Sequence, residues 1–166
     1  MILGMTTSTY TLVHVAISLG GICSGFVVLF GLLAAKRLDA WTALFLATTV
    51  LTSVTGFGFP FDHLLPSHKV GIISLVMLAV AILARYVFHL VGAWRWIYVV
   101  GAVIALYLNI FVLIVQLFEK VPALKALAPT QSEAPFLVAQ LVVMALFVLF
   151  AILAVKRFHP QLVRGV

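Results

Sequence analysis

The 166-residue chain is 65% hydrophobic and only 8% charged, with a mean hydropathy of +1.30. A water-soluble domain carries about 25% charged residues, so a soluble globular fold is excluded. The formal charge of +6 then belongs at lipid headgroups rather than on nucleic acid. A single cysteine, Cys23, excludes an intramolecular disulfide framework and any CxxC metal or redox motif.

Five apolar runs follow in chain order. The first extends from about Tyr10 to Ala35 and stops at Lys36 and Arg37. It has no basic residue before it and is too long for a signal-peptide core, so a retained span is expected. The second, from about Trp41 to Phe59, ends at Pro60, which cannot continue a helix. It is the shortest and holds Thr48, Thr49, Thr52, Ser53 and Thr55. The third covers about Val70 to Leu90, the fourth Trp96 to Phe118 and the fifth Ala134 to Val155. A rise of about 1.5 Å per residue lets roughly 20 residues cross ~30 Å of hydrocarbon, so each run is read as a span. The expected fold is an all-α bundle of five transmembrane helices in one domain, residues 1–166.

Five spans bring Lys36, Arg37, Arg85, Arg95, Lys156, Arg157 and Arg164 to one face and leave Lys69, Lys120 and Lys125 on the other. The positive-inside rule then predicts an outside N-terminus and a cytoplasmic C-terminus. Trp41, Trp94 and Trp96 fall at the cytoplasmic interface with Tyr98, as headgroup anchors do. Residues 28–37 (VLFGLLAAKR) and 148–157 (VLFAILAVKR) echo each other, which reads as two similar stop-transfer ends or as a duplication.

Polar groups inside a bilayer usually face a bundle interior or a cavity. Here Ser18, Thr52, Thr55, Asn109, Gln116 and Gln140 lie in the middle or outer half of their runs, which predicts a polar pocket opening outward. His14, Ser18, Gly21 and Gly25 share one helix face. The glycines make either room for a flat ligand or a small-residue packing seam. The loop FPFDHLLPSHK, residues 59–69, carries His63 and His68, which its apolar side chains should hold near His14. Arg85 and His89 read as snorkelling headgroup contacts, and His159 belongs to a basic tail suited to anionic lipid.

The stretches HVAISLGGICSGFVVLFGLLAAKR and ALFLATTVLTSVTGFGFPF are similar to uncharacterised small inner-membrane proteins of bacteria, in which a histidine near the start of helix one precedes small residues. The resemblance implies a bacterial inner-membrane setting and directs attention to His14.

Three functional classes fit these residues. In the first, His14, His63 and His68 bind haem b, with Gly21 and Gly25 giving room for the ring. Alternatively, the same histidines with Asp62 or Glu119 hold a zinc-like ion. The second class is a homo-oligomeric solute transporter or channel lined by the polar residues, with Gly21 and Gly25 as a seam between copies. No acidic residue lies deep in a span, which argues against a proton-driven carrier. The third is an accessory or assembly subunit of a larger membrane complex, with no cofactor and polar groups that only join helices. In each case the bilayer is the first partner.

Overall fold

In hydrocarbon a chain can satisfy its N–H and C=O groups only within its own helices, and each of the five apolar runs lies on a helix. The computed structural model describes residues 2, 4–59 and 66–159. Its helices are α1 (Thr7–Leu33), α2 (Asp39–Gly56), α3 (Pro66–Ile82), α4 (Ala93–Lys120), α5 (Pro122–Leu127) and α6 (Ala134–Arg157). A π-helical turn, Leu83–Val87, continues α3. The short α5 falls in a segment expected to be loop.

Four helical segments are long and apolar enough to cross a membrane: α1, His68–Val87, α4 and α6. The 18 residues of α2 reach about 27 Å at the usual helical rise. Asp39 and the hydroxyls of Thr42, Thr48, Thr49, Thr52, Ser53 and Thr55 make it the most polar of the long helices.

Local chemistry sets the ends. Thr6 caps α1 by accepting from the Thr9 amide at 3.2 Å. At the other end Ala35 turns left-handed (φ 56°), and the Lys36 amide donates to Gly31 O at 2.8 Å, a Schellman closure. Gly92, at φ 57° and ψ −123°, opens α4 in a conformation that side chains strongly disfavour. Before α6, the Glu133 carboxylate accepts from the Thr130 hydroxyl at 2.8 Å and from two amides. Desolvation raises the Glu133 pKa, but the hydrogen bonds together outweigh it and hold the group below its ordinary value.

Helix α1 packs against α2, α4 and α6, and α4 packs against α3 and α6. The centre is apolar: Leu29, Phe45, Leu78, Val99 and Leu106 are fully buried. Gly25 is a tight point in it, because a Cβ there would stand 2.6 Å from Leu106 Cδ1 and 2.9 Å from Phe45. A second, smaller cluster of Phe118, Ala128 and Phe136 closes the α4–α6 corner.

Arg85 departs from the expected snorkelling position. Its side chain is only 2% exposed, and its guanidinium pairs with Asp39 Oδ1 and lies 5.1 Å from the Tyr98 ring centroid. The widened turn explains this. The amides of Phe88 and Leu90 reach back to Leu83 O and Ala84 O, and Arg85 within the turn is buried in the bundle. Asp39 also accepts from Arg37 Nε at 2.9 Å, so one carboxylate ties α2 to the end of α3. His89 does remain exposed.

Replacing Asp39 by Asn leaves the Arg85 charge without its counter-ion. Breaking a fully buried pair costs ~3–5 kcal/mol, and because Asp39 is 68% exposed the expected loss is about 1–3 kcal/mol. Thermal unfolding of the detergent-purified variant measures it, and an unchanged transition contradicts the assignment.

Candidate functional site

The end of the bundle away from Arg85 is organised around the last turn of α2. Thr55 donates its hydroxyl proton to Leu51 O at 2.7 Å, with Thr52 O at 3.2 Å. That proton is committed, so the 2.7 Å contact between Thr55 Oγ1 and His14 Nδ1 requires the imidazole to donate. His14 therefore carries its proton on Nδ1 and keeps a lone pair on Nε2. Nε2 has no hydrogen-bond partner among the described residues. Histidines that bind metals are typically oriented in this way, with the other ring nitrogen donating to a fixed acceptor.

Aromatic rings hold this arrangement. Tyr10, one turn before His14 and buried, donates to Thr55 O at 2.7 Å. Phe59 meets Tyr10 and His14 edge-on, at 5.1 and 5.3 Å between centroids. Gly58 is required beneath them, because a Cβ there would fall on the Tyr10 hydroxyl. From α3, His68 is 4% exposed and stacks on Phe57 at 5.4 Å. The two histidines thus approach the same end of α2 from neighbouring helices.

The remaining expected residues take other places. Asp62 and His63 lie outside the described residues. Glu119 accepts from Gln116 at 3.4 Å, one helical turn away. Ser18 bonds back to His14 O at 2.7 Å. Asn109 reaches Thr49 Oγ1 at 3.4 Å, and Gln140 donates to Phe111 O at 3.2 Å. Asn109 and Gln140 join helices, Ser18 and the Gln116–Glu119 pair bond within their own helices, and these groups do not converge on one pocket. Thr52 Oγ1 and Gln140 Oε1 are buried without a partner among the described residues.

Gly21 and Gly25 give no room to a ring. A Cβ on Gly21 would stand 3.2 Å from Thr48 Oγ1 and 3.7 Å from Asn109 Nδ2, and Gly25 is closed by Leu106 and Phe45. The glycines are a seam within the chain, where α1, α2 and α4 meet, and neither a haem cradle nor an exposed seam between copies.

Sequence reasoning missed Tyr10 and Phe57 as parts of this site, and placed Phe59 only among the apolar side chains that hold the loop near His14. Tyr10 sits four residues before His14, so helical periodicity already put both on one face. No protein-family model matches the chain, and neither the curated proteins nor the solved structures contain a significant match.

The tautomer can be read directly. In ¹⁵N-histidine-labelled protein, His14 is expected to be protonated at Nδ1, and Thr55→Val should abolish that preference. The loss of one such hydrogen bond in a bundle is worth about 1 kcal/mol. A proton on Nε2 in the unmodified protein contradicts the assignment.

Proposed function

We propose that this is a bacterial inner-membrane protein whose five long helices all cross the bilayer, with the His14 end outside and the Lys-Arg ends in the cytoplasm. Lys36, Arg37, Arg95, Lys156 and Arg157 at one end support this sidedness through the positive-inside rule. The crossing of α2 is supported by the burial of Thr42, Thr49 and Ser53 among its neighbours and by the bonds of Thr48 and Thr55 to carbonyls of their own helix.

At the outer end we infer a site for a metal-centred ligand, with His14 Nε2 as the electron-pair donor. The carrying observation is the ordered chain from His14 Nδ1–H to Thr55 Oγ1 and on to Leu51 O. The space along Gly21 and Gly25 is filled, which disfavours haem b and leaves a zinc-like ion as the candidate, although no three His, Cys, Asp or Glu side chains gather into a metal-holding group among the described residues. His68 and Glu119, with His63 and Asp62, are the further donors by residue type. A zinc-like ion with an open position would supply a Lewis acid or activated water at the membrane surface.

A second reading is an accessory subunit without a cofactor. It is favoured by the way Ser18, Asn109, Gln116 and Gln140 are spent on contacts within the chain.

Elemental analysis and visible spectra of the detergent-purified protein separate the readings. The metal-site reading expects about one equivalent of bound metal, reduced at least tenfold by His14→Ala. A Soret band lost in the same variant would make haem the ligand. Metal content unaffected by the substitution, or a colourless and metal-free protein from supplemented cells, overturns the site and leaves the accessory role.

A further inference from the structure

The echoed segments 28–37 and 148–157 play no part in the histidine site, yet the fold brings them together. Helices α1 and α6 are each antiparallel to α4. Gly21 and Gly25 face Asn109 and Leu106, while Gln140 bonds Phe111 O and Arg95 bonds Val155 O. The two therefore run parallel and in contact. The rings of Phe26 and Phe147 lie 6.3 Å apart, which is within one residue of the register that aligns the two echoes. Helix α6 carries Lys156 and Arg157 in its last turn, and Lys36 and Arg37 follow the closing turn of α1, so both basic pairs lie at the same end of the bundle.

All four side chains are exposed. Asp39 is the acidic partner found at this end, and it is taken by Arg37 and Arg85. Lys36, Lys156 and Arg157 have no carboxylate partner among the described residues. Toward the bundle centre runs an aromatic ladder. Phe30 stacks on Phe26 at 6.3 Å, Phe26 meets Phe147, and Phe147 meets Phe150 at 6.0 Å. Phe30 is 59% exposed, so the ladder has an open apolar side next to unpaired cations.

We propose that the α1–α6 groove at this end is a binding site for an anionic phospholipid. Lys36, Lys156 and Arg157 hold the phosphodiester, and an acyl chain lies along Phe30 and the ladder. Lys36 follows the closing turn of α1 beside the parallel α6, whose last turn carries Lys156 and Arg157, so the proposed site draws cations from both sides of the α1–α6 contact. Basic pockets between spans recognise lipid headgroups on this basis. The site stands apart from the histidine reading, since it lies at the opposite end of the bundle.

Native mass spectrometry of the full-length, detergent-purified protein tests it, with dioleoyl phosphatidylglycerol and dioleoyl phosphatidylcholine as probes. One phosphatidylglycerol is expected to bind at least tenfold more tightly than phosphatidylcholine. The triple variant K36Q/K156Q/R157Q should lose that preference, whereas K69Q/K125Q at the other end should keep it. The single variants K36Q and K156Q, each expected to weaken binding about threefold, carry the same test if the triple variant fails to fold. Equal binding by the basic-end variants and the unmodified protein overturns the proposal. So does an equal loss in K69Q/K125Q, or displacement of the lipid by millimolar inorganic phosphate, which would mark a site for free anions.

Discussion

Helix α2 must hide its polarity, and the rest of the bundle is arranged to let it. A hydroxyl in an apolar interior without a partner costs about 1–3 kcal/mol, and α2 carries Thr42, Thr48, Thr49, Thr52, Ser53 and Thr55. Thr48 and Thr55 turn back onto their own helix. Ser53 donates to Ser74 of α3 at 3.2 Å, Thr49 accepts from Asn109 of α4, and Thr42 lies 3.4 Å from the Tyr98 hydroxyl. Helix α1 closes over the same surface because Gly21 and Gly25 let the backbones approach. A larger residue at Gly25 would separate α1 from both α2 and α4, since Phe45 and Leu106 already fill the space.

This arrangement insulates two chemically different ends. Leu29, Phe45, Leu46 and Leu106 are buried between them. One end gathers His14, Tyr10, Phe59 and His68 around the close of α2. The other gathers Arg85, Asp39 and Tyr98 around its start, beside the free cations of α1 and α6. Helix α2 contributes to both ends, so its placement sets the geometry of the histidine cluster and of the ion pair together. Helix α6, by contrast, packs chiefly against α4 and α1 and leaves Leu137, Val138, Leu141, Val142 and Ile152 exposed, as a helix at the lipid boundary does.

The helices themselves were legible because hydrocarbon length and composition impose them: each apolar run coincides with a helix to within a few residues. The face shared by His14, Ser18, Gly21 and Gly25 was also legible from periodicity. Its meaning was not, because spacing cannot say whether a glycine track faces a ligand or another helix of the same chain. Arg85 was misread for a related reason. Depth along a span suggested a headgroup contact, but a π-helical turn and a carboxylate 46 positions away bury it instead. The hydrogen-bond order at Thr55, which fixes the His14 tautomer, depends on a contact between helices that composition and spacing do not encode.

The proposed separation of the two ends requires α2 to cross the bilayer despite its hydroxyls. In a background with Cys23 replaced by Ser, single cysteines at Lys36→Cys and Lys69→Cys can be labelled with a membrane-impermeant thiol reagent in vesicles of known orientation. If α2 crosses, the two positions label from opposite sides, with Lys69→Cys reached from outside. Labelling of both from the same side would contradict the crossing, and with it the separation of the histidine end from the basic end.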